Sequence, residues 1–149
     1  MGEQEPSVVL SLTVEDVASA LELYTAAFDA KELYHMAMPD GTVMHAEFTI
    51  GSSQLLISVG SEDWKASPLP EGTLAPCLIG INVDDVDAAF AKAKAAGVNV
   101  IKEPTSQCWG WRTAVVSDPF GYRWNLRKQV EDVSPEEVMQ RAMAFMGES

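Results

Sequence analysis

The chain writes one segment twice. Val14-Glu15-Asp16-Val17-Ala18-Ser19-Ala20-Leu21 returns 69 residues later as Val83-Asp84-Asp85-Val86-Asp87-Ala88-Ala89-Phe90, with the form V-[ED]-D-V-x-x-A-[LF]. A repeat constrains architecture more than any single propensity, because two copies of one segment must fold into two copies of one unit. Each copy follows a short apolar run, residues 8–12 and then 78–81. Each then opens a helical pattern, with apolar residues at 17, 21, 24 and 28 and again at 86, 90 and 93. A strand-like run giving way to helical spacing predicts strand then helix in both halves.

Local signals fill in the rest. Thr13 is the expected N-cap of the first helix, with Asp16 three residues on as a weaker form of the capping box, and the acidic first turn suits the helix dipole. The second helix is expected to stop at Gly97, a residue suited to the position after a helix. Three strand-like runs follow the first helix, at 31–38, 43–50 and 54–59, divided by the hairpin residues Pro39-Asp40-Gly41 and Gly51-Ser52-Ser53. Three more follow the second, at 99–102, 111–116 and 122–128, with Asp118-Pro119-Phe120-Gly121 as the last turn. The predicted fold class is α+β: a βαβββ module at 7–60, a linker rich in Pro and Gly at 61–76, and a second βαβββ module at 77–128. A C-terminal helix is expected over 134–147, with Ser134 as N-cap, Pro135 in the first helical position and Glu137 closing the cap. Its apolar face, Val138, Ala142, Phe145 and Met146, calls for cover from the sheet or from a partner subunit.

Charge and cysteines narrow the function classes. With 22 acidic and 10 basic side chains the net charge is −12, so the surface repels phosphate backbones and anionic headgroups, and neither nucleic acid nor membrane is an expected partner. That acidity favours a cationic ligand by focusing, although most of the carboxylates read as solvated surface. Cys77 and Cys108 form no C-x-x-C pair and have no histidine at zinc-finger spacing; two buried, free thiols in a reducing compartment are expected. The start, Met1-Gly2-Glu3-Gln4-Glu5-Pro6-Ser7, is acidic rather than leader-like, and no apolar run approaches the roughly 18 residues a membrane helix needs. The expected location is the cytoplasm.

Four stretches carry a family resemblance: Met44-His45-Ala46-Glu47-Phe48, Cys108-Trp109-Gly110-Trp111-Arg112, Asp118-Pro119-Phe120-Gly121-Tyr122-Arg123-Trp124-Asn125-Leu126, and Glu131-Asp132-Val133-Ser134-Pro135-Glu136-Glu137. They resemble the vicinal-oxygen-chelate superfamily, the glyoxalase/bleomycin-resistance/dioxygenase group, and within it the PhnB-like branch. The resemblance implies two βαβββ modules forming a cupped mixed sheet, and a homodimer. In metal-using relatives it also implies four inward-facing His or Glu ligands, one each from the first and last strand of both modules. Carried onto this sequence through the repeat and the D-P-F-G turn, those positions are Val9, Leu56, Leu78 and Asn125. Three aliphatic side chains and an amide do not make a chelate for a divalent ion, and a slip of one residue offers nothing better. No metal and no other cofactor is therefore expected.

In this register Ser11, Ser58, Gly80, Asn82, Arg123 and Arg127 share the inner face, while Leu55, Ile57 and Leu126 turn towards the helices. The candidate ligand-binding residues are Trp109, Trp111, Arg112, Asn125, His45, Ser58, Leu56, Leu78 and Val9. Tryptophan offers broad, rigid contact for flat molecules and arginine pairs carboxylates. Trp64 stands in the linker, as a residue to close over the mouth, and Trp124 is expected in the core. A rival set, His35, His45 and Glu47, is expected to meet across the hairpin at 39–41, where it would hold a metal in a lyase, isomerase or dioxygenase. No Ser or Cys nucleophile has a base partner, and no P-loop or dinucleotide fingerprint occurs, so no catalytic residue is assigned. The expected function is metal-free binding of a small organic ligand.

Overall fold

The computed structural model describes residues 5–147. Residues 1–4, on which part of the argument against a leader rests, lie outside them. In chain order the elements are β1 (Leu10–Thr13), α1 (Val17–Phe28), β2 (Lys31–Ala37), β3 (Val43–Ile50), β4 (Ser53–Ser58), β5 (Leu78–Asn82), α2 (Val86–Ala96), β6 (Asn99–Ser106), β7 (Trp111–Ser117), β8 (Arg123–Gln129) and α3 (Pro135–Gly147). This is βαβββ twice, then a helix. The strands form two four-stranded mixed sheets, ordered β1-β4-β3-β2 and β5-β8-β7-β6. In each, the first strand runs parallel to the last and the other pairs are antiparallel. The chain divides into two compact units at Leu74 and Ala75. Among the described residues no helix is long and apolar enough to cross a membrane.

Each unit has its own core on the helix side of its sheet. In the first, Val17, Ala20, Tyr24 and Phe28 of α1 are buried with Leu12, Ala46, Phe48, Leu55 and Ile57. The Tyr24 ring stacks 5.8 Å from Phe48 and 6.0 Å from Phe28. In the second, Val86, Phe90 and Ala93 of α2 are buried with Ala114, Val116, Trp124 and Leu126. The expected placement of Trp124 in the core therefore holds.

The D-P-F-G turn explains how Trp124 is fixed. Asp118 is 3% exposed; its Oδ1 accepts from the backbone N–H of Phe120 (2.9 Å) and Tyr122 (3.0 Å), and its Oδ2 accepts from Trp124 Nε1 (2.9 Å). One carboxylate thus closes the turn and clamps the largest core side chain.

Several local expectations are corrected. The N-cap of α1 is Asp16, whose carboxylate accepts from Ser19 N (3.0 Å) and Ser19 Oγ (2.8 Å); Thr13 is the last residue of β1, paired with Ser58. Asp85 caps α2 in the same way through Ala88 N. The aspartate of the repeat is therefore the cap itself, an extended residue whose side chain meets an orphan helical amide. Gly97 ends α2 with a φ of 109°, as expected. Strand β6 runs on to Ser106 because Thr105 and Ser106 pair with Thr113 and Arg112, and Pro104 is accommodated where the register shifts between Lys102 and Thr105. Both cysteines are free, but Cys77 is exposed and Cys108 half-buried, not the buried thiols expected.

Helix α3 starts as predicted, Ser134 Oγ accepting from Glu137 N at 3.1 Å. Arg141 ties it down by donating to Glu131, Glu137 and the Cys108 carbonyl. Of the apolar face expected to be covered, Val138 and Ala142 are half-buried, but Phe145 and Met146 remain 75% and 71% exposed.

Candidate functional site

Because side chains alternate along a strand, the face of each sheet opposite its helix is set once the core is known. In the first unit that face carries Ser11, Leu56 and Glu47 in one row and Thr13, Ser58 and His45 in the next. Two of its polar groups have partners within the module. Gln54 Nε2 donates to Glu47 Oε2 at 3.1 Å, Ser58 Oγ accepts from Gly60 N at 3.2 Å, and the His45 ring lies 6.2 Å from that of Tyr34. Val9 sits just ahead of β1, 40% exposed.

The rival metal set does not assemble. His35 pairs with Ala46 and Met36 with His45, so His35 lies on the opposite face from His45 and Glu47. There its Nδ1 meets Glu32 Oε1 at 2.7 Å. Among the described residues no group of three or more His, Cys, Asp or Glu side chains stands together as a metal site. Val9, Leu56, Leu78 and Asn125, the positions to which the resemblance carries the family's metal ligands, offer three aliphatic side chains and one amide, which do not fit a divalent ion.

In the second unit the corresponding face is built from three rows: Leu78, Arg123 and Ser117; Gly80, Asn125 and Val115; Asn82, Arg127 and Thr113. Trp111 stands beyond them, opposite Gln129. Arg127 reaches over the Trp111 ring, its guanidinium carbon 4.0 Å from the ring centre. Gly80 makes room for it, since a Cβ there would stand 3.2 Å from Arg127 Cδ. Gln107 Nε2 donates to Thr113 Oγ1 at 3.0 Å, and Arg123 Nη2 donates to the carbonyls of Ala75 (3.4 Å) and Pro76 (3.1 Å), pinning the start of the unit. Two buried atoms on this face have no hydrogen-bond partner: Asn125 Oδ1 and Arg123 Nε. An unsatisfied buried polar group costs about 1–3 kcal/mol.

Arg112, expected beside Trp111, faces the other way. Its Nε and Nη2 donate to both oxygens of Asp87 at 2.8 Å, and its Nη1 to Ser106 Oγ at 3.1 Å. This hydrogen bonding, reinforced by the guanidinium's charge, holds the Asp87 carboxyl below its ordinary range and raises Arg112 above its own. Arg112 anchors the first turn of α2 and leaves the candidate site. Trp109, in the turn before β7, is 47% exposed; Leu78 is 47% exposed on β5; Trp64 is 85% exposed in its loop. Gly80, Asn82, Arg123 and Arg127 were expected on this face without a role, and of these Arg127 and Gly80 shape it most. Strand alternation counted from Asn125 was the available signal.

The model of the Glyoxalase/Bleomycin resistance protein/Dioxygenase superfamily matches residues 7–126. An uncharacterized protein of Mycobacterium bovis is 37% identical over 150 residues, across 97% of this chain and 96% of the relative. An uncharacterized protein of Mycobacterium tuberculosis shows the same identity, across 97% of this chain and 86% of its own length. Among solved structures, TioX from Micromonospora sp. ML1 superposes with a TM-score of 0.69 at 23% identity, over 84% of this chain and 99% of that one, a likeness of fold.

Proposed function

The chain belongs to the glyoxalase/bleomycin resistance protein/dioxygenase superfamily, and on that premise we propose that it is a metal-free binding protein whose module-two sheet face holds a small organic ligand. One observation carries this: Asn125 Oδ1 is buried without a partner at the position where metal-using relatives of the resembling family place a ligand. A side-chain amide there pairs with a polar group of a ligand, and Trp111 supplies an apolar wall. Across the sheet from Asn125 stand Gly80 and Val115, both uncharged, while Arg123 and Arg127 flank it along its own strand. Lewis-acid chemistry of a lyase, isomerase or dioxygenase needs converging anionic or imidazole donors, which this face lacks. Pairing of two copies is part of the same proposal and is read by sedimentation.

The test has two arms. Elemental analysis of untagged protein after incubation with excess Mg, Mn, Fe, Ni and Zn is expected to find no stoichiometric ion; one tightly held ion per chain would overturn the metal-free reading. A fragment screen followed by amide and indole NMR is expected to shift Trp111 and Asn125. Hits that move only residues of the first unit would refute the assignment to module two.

A further inference from the structure

We infer that the ligand of this face is an organic anion bearing a second polar group, such as a hydroxy- or amino-substituted carboxylate. This rests on the binding proposal above and names its chemical class. The overall charge of −12 points the other way, but charge is not spread evenly. The residues that pair across this face are Leu78, Gly80 and Asn82 on β5, Arg123, Asn125 and Arg127 on β8, and Trp111, Thr113, Val115 and Ser117 on β7, with Lys102 of β6 opposite Val115. None of them is a carboxylate. Three cations therefore stand in a chain where acids outnumber bases by more than two to one.

Of these, Arg127 is the one poised for a ligand. Arg123 is engaged with the Ala75 and Pro76 carbonyls. The Arg127 guanidinium makes no side-chain hydrogen bond or ion pair among the described residues; its contact is the Trp111 ring. Stacking uses the face of a guanidinium and leaves its in-plane N–H groups free, in the fork geometry that matches a carboxylate. The stack also holds the side chain in one orientation, which lowers the entropy cost of capturing an anion. The absence of a side chain at Gly80 serves this arrangement, because a Cβ would press on Arg127 Cδ and approach Nη1 at 3.6 Å. Asn125 lies two residues back on the same strand face, about 7 Å along the strand. An anionic head on Arg127 and a polar group meeting the Asn125 side-chain amide thus define two ends of one ligand.

Three probes of one shape test this: 4-hydroxybenzoate, 4-hydroxybenzamide and 4-hydroxybenzylamine, which differ in charge at one end and share the hydroxyl at the other. Titrated into the full chain and followed by the Trp111 indole and Asn125 amide signals, the anion is expected to bind at least about tenfold tighter than the amide, the increment a charge-assisted pair provides. The cation is expected to bind weakest. In Arg127→Gln the preference for the anion is expected to collapse, and in Arg127→Lys to return in part, with spectra of residues outside β5, β7 and β8 matching the parent to show that the fold is kept. Equal binding of anion and amide, or an Arg127→Gln protein that still prefers the anion, overturns the inference and leaves the binding proposal standing. If all three probes leave this face unmoved while the fragment screen still marks it, the inference alone is overturned. Silence in both experiments takes down the binding proposal as well.

Discussion

Replacing Asp118 should be among the most damaging single changes in the second unit. Its carboxylate serves three donors, Phe120 N, Tyr122 N and Trp124 Nε1, and the last two belong to residues 9% and 0% exposed. Asp118→Ala leaves both of these N–H groups buried and unpaired at about 1–3 kcal/mol each, while the half-buried Phe120 amide partly rehydrates, so a loss of about 4 kcal/mol is expected. Asp118→Asn keeps one oxygen for the turn amides but sets an N–H against the indole N–H; about 2 kcal/mol is expected, the cost of one spoiled buried bond. Urea unfolding followed by indole emission measures both, since Trp109, Trp111 and Trp124 all lie in this unit. Should Asp118→Ala fail to fold, Asp118→Asn combined with Trp124→Phe removes the opposed donor, and the pair should be less destabilising than the sum of its parts. A loss below about 1 kcal/mol for Asp118→Ala, or strict additivity of the double variant, would refute the clamp.

Other outcomes follow from the same geometry. Asn125→Leu removes an orphaned buried oxygen and is expected to leave stability unchanged or raise it by about 1 kcal/mol, while abolishing the binding of probes that shift the Asn125 region; a melting curve and an NMR titration read the two effects separately. Gly110 has a φ of 92°, and a Cβ there would run into the Glu131 carbonyl, so Gly110→Ala should cost more than about 2 kcal/mol in thermal unfolding. The carboxyls of Asp87 and Glu131 are held below their ordinary values, first by hydrogen bonds from Arg112 and Arg141. Their stabilising effect is therefore present above the ordinary carboxylate range and is lost as pH falls through the depressed folded values. A carbon-detected NMR titration should place both midpoints below 3.8 and 4.5 respectively, and Arg112→Gln should return Asp87 to the ordinary range without moving Glu131.

The fold was legible because its signals are local and occur twice. Hydrophobic spacing, hairpin residues and the cap before Pro135 each act within a few residues, and the repeat checks one half against the other. What escaped depends on register. His35 and His45 look opposed across the 39–41 turn, yet the ladder shifts by one residue near Met36 and Ala37, and a single shift moves a side chain to the other face. Arg112 was grouped with Trp111 by adjacency, although neighbours on a strand cannot share a face; its partner Asp87 lies 25 positions away. Whether Asn125 Oδ1 is satisfied is legible from no pattern at all, because it depends on every donor the folded chain brings within reach.

The duplicated modules also make an internal comparison possible. Both have the same strand order and the same parallel pairing of first strand with last, so their open faces began as equivalent surfaces. In the first, Glu47 is met by Gln54 and Ser58 by its own turn, and no buried side-chain polar atom is left without a partner among the described residues. In the second, Gly80 leaves room beside Arg127, Arg127 is held on Trp111, and Asn125 and Arg123 each keep an unpaired buried atom. Since each such atom lowers stability, packing alone gives no reason for the second face to differ from the first. The proposed binding role supplies one, because Arg127 and the Asn125 amide are the groups that a small anion with a second polar group would meet.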